Sequence, residues 1–246
     1  MKPGRGNCHL CNEIRQLRRS HIIPAWAYRD EICGPDGKMI DLTELSVHSR
    51  QLRLPMLCDE CEGKFSKWEN PARGAALESA IGGKYGDWLF PFATSISWRV
   101  LKFQQMRPES EMSDNLRSIL ARPSVNNALS SWSNCLLHDR LDRSKSHRQH
   151  LFCVSKDYDR RQAICVTLGK ADGHVFTYAR FSFYCILGMI ETSDRKAIEK
   201  NHIKVHGGEF SGKQYLPLEL AKYLVSVEDE ALARVLMFAA KQVESQ

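Results

Sequence analysis

Two pairs of cysteines near the start of the chain place the strongest constraint on its fold. Cys8 and Cys11 form one C-x-x-C pair, and Cys58 and Cys61 form the second. Two such pairs supply four thiolates, which is the ligand set of a closed, tetrahedral structural zinc site. We therefore predict that residues 8–69 fold around one structural Zn²⁺ ion bound by these four side chains.

A short basic strand is predicted between the two pairs, at residues 17–24. It ends in β-branched residues and is stopped by Pro24. His21 lies at the close of this strand and can face the helix that is predicted to start at the second cysteine pair. The first turn of that helix is acidic, which suits the positive end of its dipole, and Phe65 and Trp68 recur as its buried stripe.

The order of these motifs resembles that of the HNH, or ββα-metal, endonucleases, a zinc-binding family of the treble-clef class. Beside the first cysteine pair, the resemblance lies in RSHIIP at 19–24, LCDECE at 57–62 and SISWR at 95–99. These motifs are similar to those of a group of mostly uncharacterised bacterial proteins regarded as HNH endonucleases. The resemblance covers the first third of the chain firmly and the middle third weakly, and it does not reach the C-terminal part.

The resemblance implies metal-dependent hydrolysis of phosphodiester bonds in nucleic acid, with DNA favoured over RNA as the substrate. His21 would be the general base that activates water, and Glu62 would hold the catalytic divalent ion, Mg²⁺ or Mn²⁺. Glu69, about two helical turns after Glu62, shares its helix face and is the second candidate ligand for that ion. The alternatives are a His21 that is only a satisfied buried histidine or a stabiliser of the knuckle, and a Glu62 that is only an acid at the start of the helix.

The chain departs from the family pattern at three places. Ser20 stands where many members have an aspartate or histidine ligand, and Glu62 stands where a histidine is common. No asparagine occurs in residues 13–69, although the family uses one to fix its loop. That device is either missing or replaced, with Asp41 or His48 as the candidates.

Basic side chains flank the predicted site on both sides. Arg18 and Arg19 precede the histidine, and Lys64 and Lys67 follow the second cysteine pair. The formal net charge of +6 and the sequence pI of about 8.8 favour a polyanionic partner. These four residues are predicted to contact a nucleic-acid backbone, the alternative being an ordinary solvated face.

The cysteine count and the hydropathy pattern indicate the compartment. The chain has nine cysteines, an odd number with four in metal-binding spacing, which fits a reducing environment better than a disulfide framework. It has neither a run of about 18 apolar residues nor a cleavable leader, which predicts a soluble, cytoplasmic protein that does not enter the membrane. The other five cysteines are predicted to be small core residues: Cys33, Cys135, Cys153, Cys165 and Cys185.

The patterning changes along the chain from helical to β-rich. Helical periodicity runs over residues 75–137, and β-branched and aromatic runs with short dividers predict an antiparallel β-meander over residues 151–190. One of the terminal helices is predicted to start at Ser226. The predicted class is α+β, with an N-terminal treble-clef zinc module of HNH type, a helical middle, and a C-terminal antiparallel β-meander with terminal helices. The predicted divisions are 1–74 for the zinc module, 75–138 for the helical region packed on it, 139–149 for a basic linker and 150–246 for the meander and its helices.

Two classes of function follow from the sequence. The preferred one is an HNH-type endonuclease, for which the resemblance implies a bacterial setting such as phage defence. The alternative is a non-catalytic zinc module that binds nucleic acid or docks to a partner such as an ATPase. In either case the C-terminal half is the candidate surface for a protein partner or for a homo-oligomer.

Overall fold

Three β-sheets and the helices around them form the part of the chain that the structure describes. This computed structural model describes residues 4–32, 36–73, 75–81, 84–138, 148–153, 163–193, 203, 208–209 and 222–231. The α+β class is confirmed for these residues. None of the described helices has the length and apolar character that crossing a membrane requires.

Within the described residues, strands and helices are interspersed up to residue 85, helices follow one another over residues 89–138, and four strands follow one another over residues 149–191. The strands are β1 (Arg5–Asn7), β2 (Ile14–His21), β3 (Met39–Asp41), β4 (Ser46–His48), β5 (Arg53–Cys58), β6 (Lys84–Tyr85), β7 (Gln149–Cys153), β8 (Ala163–Ala171), β9 (His174–Phe181), β10 (Tyr184–Glu191) and β11 (Gly208–Glu209). The helices are α1 (Ala25–Ala27) with a π-helical turn at Tyr28–Ile32, α2 (Asp59–Glu69), α3 (Ala75–Ile81), α4 (Leu89–Gln105), α5 (Asp114–Leu120) after a 3₁₀ turn at Glu109–Glu111, α6 (Pro123–His138) and α7 (residues 222–231).

The first sheet supports the paired cysteines. Its order is β1-β2-β5, with both pairs antiparallel, and α2 begins directly after β5. The β2–β5 ladder has a bulge at Met56, which has no partner in β2 and follows Pro55, a residue without an N–H to donate. The carbonyl of Met56 instead accepts a hydrogen bond of 3.0 Å from the N–H of His9. The bulge thereby ties the first cysteine pair to the strand that leads into the second.

The largest sheet combines strands from both halves of the chain. Its order is β4-β3-β8-β9-β10-β7, with β3 parallel to β8 and the other pairs antiparallel. The predicted meander is confirmed for β8, β9 and β10. It is wrong for the first strand, because β7 pairs with β10 and the place beside β8 is taken by β3.

Hydrogen bonds link the predicted zinc module to this sheet. The N–H of Leu42 donates to the carbonyl of Ile164 at 2.9 Å, and the N–H of Val166 donates to Thr43 Oγ1 at 2.7 Å. The predicted domain boundaries stay a prediction, but these contacts cross them. Residues 139–147 of the predicted linker lie outside the described part of the chain, and its last residue opens β7.

Both faces of the large sheet are buried. On β9, Val175 and Ala179 belong to the main core, which includes α4, whereas Phe176 and Tyr178 pack with Leu224 of α7 in a second cluster. This division follows from the two-residue period of a strand. A sheet covered on both faces also accounts for the nearly continuous apolar runs in its strands.

The helix α7 is attached to this second face by buried polar contacts. Arg180 of β9 forms an ion pair with Glu228, and the hydroxyl of Tyr178 donates to the same carboxylate at 2.7 Å. The helix runs straight through Ser226, so the predicted start at that residue is wrong. The hydroxyl of Ser226 bonds back to the carbonyl of Tyr223 at 2.8 Å instead of capping the turn that follows.

The cysteines outside the paired motifs agree with their predicted role wherever the structure describes their side chains. Cys135, Cys165 and Cys185 are all buried. Cys33 lies outside the described residues, and for Cys153 only the backbone in β7 is described.

Candidate metal centre and adjoining cleft

Four cysteine thiols converge where the knuckle after β1 meets the start of α2. The Sγ atoms of Cys8, Cys11, Cys58 and Cys61 all lie within 4.8 Å of one another, and all four are free thiols. The Sγ atoms of Cys11 and Cys58 are 3.9 Å apart. Two sulfurs that are each about 2.3 Å from one tetrahedral zinc ion are separated by roughly 3.8 Å. The predicted cysteines therefore form a cluster of the size that Zn²⁺ requires.

Backbone hydrogen bonds shape the knuckle around Cys8. Its N–H donates to the carbonyl of Glu13 at 2.9 Å, and its carbonyl accepts from the N–H of Asn12 at 2.8 Å. Asn12 has a φ of 60°, a left-handed conformation that asparagine tolerates better than most residues. The N–H of Cys58 donates to the Sγ of Cys8 at 3.4 Å, so the start of α2 already directs a donor at the cluster.

The electrostatics of the cluster also fit a cation. The pKa of Cys8 is lowered to about 4, first by the hydrogen bond from Cys61 and further by backbone N–H groups. The same contact raises the pKa of Cys61, and burial raises the pKa of Cys11. Additional thiolates would repel the first, so they form readily only when a cation offsets their charge. A divalent ion that prefers sulfur, such as Zn²⁺, supplies that charge.

His21 is held at the end of β2 by its neighbours. Its carbonyl accepts a hydrogen bond of 2.7 Å from Arg99 Nη1, and its Nε2 lies 2.8 Å from Gln51 Oε1. Arg53 donates to the same Gln51 oxygen. Because arginine has donors only, the atom that faces Arg53 must be the oxygen, and His21 Nε2 must be a donor to it. In the neutral ring, Nδ1 then carries the lone pair.

The surroundings of His21 favour its neutral form. Burial lowers the pKa of His21 below its ordinary value of 6.5; Arg53 and Arg99 lower it further, and the bond to Gln51 opposes them. A histidine with a lowered pKa is mostly uncharged near pH 7 and can accept a proton. The arrangement is chemically suited to a general base.

Arg99 joins α4 to both β2 and α2. Its side chain is 2% exposed, it pairs with Glu69 at the end of α2, and its Cζ lies 5.0 Å from the ring centre of Phe65. Its Nε also donates to the carbonyl of Ser95 at 3.3 Å. Together with its bond to the carbonyl of His21, these contacts make Arg99 the residue that anchors the end of β2, where the predicted general base lies. The predicted site did not include Arg99, although it lies in the SISWR motif.

The two carboxylates predicted to hold a catalytic metal have different surroundings. Glu69 is engaged by Arg99. The Oε1 of Glu62 is buried and has no hydrogen-bond partner in the structure. Burial raises the pKa of Glu62, and the hydroxyl of Ser20 opposes this shift. His21 and these carboxylates do not form a three-ligand cluster within the described residues, so this metal site stays a prediction.

The four basic residues predicted to contact nucleic acid do not form one patch of equivalent charges. Arg18 pairs with Asp59 on the exposed surface, and Lys64 donates to a carbonyl near the end of α6 at 2.5 Å. Lys67 is exposed on α2, whereas Arg19 lines a cleft beside β5. Of the four, Arg19 is the one that the structure places near the surroundings of His21.

The cleft beside β5 is basic and has a volume of about 390 Å³. Its arginines, Arg19, Arg50 and Arg53, are all exposed. Gln51 also lines it and connects it to His21 through the hydrogen bond described above. The full lining is Arg19, Glu44, His48, Arg50, Gln51, Leu52, Arg53, Leu54 and Phe103. Neither the cleft nor the role of Gln51 was predicted, because a lone glutamine between strands carries no local signal.

A second group of metal-ligating side chains lies on the hairpin β3–β4. The ligand atoms of Asp41, Glu44 and His48 are all within 4.8 Å of one another. Asp41 and His48 are the two alternative candidates for the place of the family's asparagine. The structure brings them together, with Glu44 and His48 at the cleft.

Comparison of the chain with models of protein families, with curated proteins and with solved structures gives no match in any of the three. The resemblance to HNH endonucleases therefore stays a prediction that depends on the motifs alone.

The purified protein is expected to contain one Zn²⁺ per chain, bound by the four cysteines. Cys58→Ser and Cys61→Ser should each lose most of this zinc, because three thiolates leave the ion with an open position. Cys135→Ala, which changes a buried cysteine outside the cluster, should retain it. Metal analysis of the dialysed proteins checks this, and equal zinc content in all three variants would contradict the assignment.

Arg99→Met should lower the free energy of unfolding by about 3 kcal/mol, because it leaves Glu69 and the carbonyl of His21 without their shared partner. The matched control is Arg117→Met on α5, where the ion pair with Asp114 is exposed. Its cost should be no more than about 1 kcal/mol. Urea unfolding followed by fluorescence gives both values, and a similar small loss in the two variants would show that Arg99 is not an anchor.

Proposed function

We propose that this protein is a metal-dependent phosphodiesterase of HNH type that cleaves nucleic acid, with DNA favoured over RNA. The observation that carries the proposal is the setting of His21. A neutral imidazole is held by Gln51 with Nδ1 left as its proton acceptor, and Gln51 itself lines a cleft that contains three arginines. A general base next to a basic cleft is the pairing that hydrolysis of a phosphodiester needs.

His21 would act on the attacking water. Its Nδ1 accepts a proton from that water, and the water oxygen forms a bond to phosphorus while the bond between phosphorus and the leaving oxygen breaks. The bond from Nε2 to Gln51 keeps the ring in the tautomer that makes this proton transfer feasible. Gln51 is accordingly a positioning residue, and His21 is the catalytic one.

The arginines of the cleft would bind the phosphate backbone. Arg19, Arg50 and Arg53 are exposed on the cleft wall, and guanidinium groups match the geometry of phosphate oxygens. Arg53 has a second task, because it also fixes the orientation of Gln51. A divalent cation, when bound, would neutralise charge on the leaving oxygen.

The second candidate function is a zinc module that binds nucleic acid without cutting it. The engagement of Glu69 by Arg99 favours this reading, since it removes one of the two predicted ligands of a catalytic ion. Docking to a protein partner such as an ATPase, or a homo-oligomer formed through the C-terminal half, is compatible with either function. A cytoplasmic, phage-defence setting is likewise a proposal that comes from the family resemblance.

Purified protein with Mg²⁺ or Mn²⁺ is expected to nick supercoiled plasmid, and His21→Ala should reduce the rate by about a hundredfold or more. The matched control is His138→Ala, which removes an exposed histidine at the end of α6 and should leave the rate unchanged. Total RNA is tested in the same way as the alternative substrate. Equal rates for all three proteins at equal zinc content, or retarded plasmid migration without nicking, would overturn the proposal in favour of the binding module.

The rate should also depend on pH in a way that identifies the base. Because His21 acts only when neutral, the rate falls as pH drops through its pKa, which lies below 6.5. Gln51→Glu places a negative charge at Nε2 and stabilises the protonated ring, so the midpoint of the profile should move to higher pH. A midpoint that does not move in this variant would show that Gln51 does not act on the base.

A further inference from the structure

The hairpin β3–β4 presents two buried polar atoms that face each other without a hydrogen bond. The Oδ2 of Asp41 and the Nε2 of His48 are 3.4 Å apart, and neither has a hydrogen-bond partner in the structure. Asp41 is fully buried, at 0% exposure of its side chain. At this distance the two side chains make only a long ion-pair contact, so neither buried atom has a well-formed hydrogen bond, and a cation that binds both atoms would satisfy them better.

A third ligand reaches the same point from the turn of the hairpin. The Oε2 of Glu44 lies 3.8 Å from the Nε2 of His48, and the side chain of Glu44 is 41% exposed. Two ligand atoms that are each about 2.1 Å from one ion, at a near-tetrahedral angle, are separated by roughly 3.4 Å. The spacings therefore fit a cation, and the exposed side of Glu44 leaves a route to solvent.

The group is held on rigid structure. The Oδ1 of Asp41 accepts from the N–H groups of Thr43 and Glu44 at 2.8 and 3.0 Å, which turns its other oxygen toward His48. The hairpin is joined to β8 through Leu42 and Thr43, as described above. The carboxylate of Asp41, fixed in this way, loses little conformational freedom when it binds an ion.

We propose that Asp41, Glu44 and His48 bind a divalent transition-metal cation at the edge of the arginine cleft. Two carboxylates and one imidazole are ligands that Mn²⁺ and Zn²⁺ share, and they are less suited to Mg²⁺, which prefers oxygen alone. Glu44 and His48 line the same cleft as Gln51, the residue that holds His21. The catalytic role of this metal site rests on the proposed function. The site would supply the catalytic cation without Glu62 or Glu69.

Binding has a defined consequence for the ring of His48. Its Nδ1 accepts a hydrogen bond of 3.2 Å from the N–H of Arg50, so the proton of the neutral ring lies on Nε2, toward the two carboxylates. The cation takes the place of that proton, which passes through solvent to Nδ1. Nδ1–H and the N–H of Arg50 are then both donors and cannot stay 3.2 Å apart, so this contact opens and the N–H of Arg50, an exposed residue, bonds to water.

The test is a Mn²⁺ titration of the zinc-loaded, full-length protein, with free Mn²⁺ measured by electron paramagnetic resonance. Wild type should bind one Mn²⁺ per chain, and Asp41→Asn and His48→Gln should weaken binding at least about tenfold. Asparagine can still accept the two turn hydrogen bonds, so Asp41→Asn is expected to fold. Glu44→Gln is the second variant if it does not. Asp36→Asn, an exposed acid before β3, is the control and should bind as wild type does.

Parallel plasmid assays separate this proposal from the proposed function. His21→Ala should bind Mn²⁺ normally and fail to nick, whereas Asp41→Asn should do neither. Wild type that nicks plasmid could bind no Mn²⁺, or bind Mn²⁺ at a site that Asp41→Asn leaves intact. Either result would overturn the metal assignment, and the nuclease proposal would stand. Mn²⁺ bound through Asp41 in a protein that does not nick would keep the metal site and remove the nuclease. If wild type binds no Mn²⁺, the metal assignment is wrong, and Asp41 and His48 form only a buried ion pair.

Discussion

The crowding of four thiols at one point is the constraint on which the N-terminal structure depends. Cys8 and Cys11 lie in the knuckle after β1, and Cys58 and Cys61 lie where β5 becomes α2. Protein contacts alone leave these thiols close enough to repel one another once ionised. A bound Zn²⁺ would offset that repulsion, and it would fix the angle between the sheet and α2.

The fixed module positions the proposed catalytic group through a short series of contacts. α2 ends at Glu69, which pairs with Arg99 of α4, and Arg99 also donates to the carbonyl of His21. From the other side, Gln51 sets the ring and Arg53 sets Gln51. The backbone of His21 and its imidazole are thus held by different neighbours. The large sheet contributes the rest, because its edge hairpin β3–β4 supplies Glu44 and His48 to the cleft.

Features encoded by short-range spacing could be predicted from the sequence, and features that depend on distant contacts could not. The cysteine cluster, a strand that carries His21 and the helix after Cys58 all follow from local pattern, although the strand is Ile14–His21 and not the predicted 17–24. Nothing local indicates that residues 39–41 pair with β8, far along the chain, or that Arg99 reaches His21 from α4. The resemblance implies Glu62 and Glu69 as metal ligands, whereas the burial of Asp41 and its position beside Glu44 and His48 depend on the three-dimensional structure.

The most direct test of this account is the zinc K-edge X-ray absorption spectrum of the purified protein. Four sulfur ligands at about 2.3 Å are expected, with no contribution from nitrogen or oxygen in the first coordination sphere. That result would establish the closed site on which β2, α2 and the position of His21 depend. A spectrum with nitrogen or oxygen ligands, or a protein that holds no zinc and forms a disulfide between the two cysteine pairs, would contradict it.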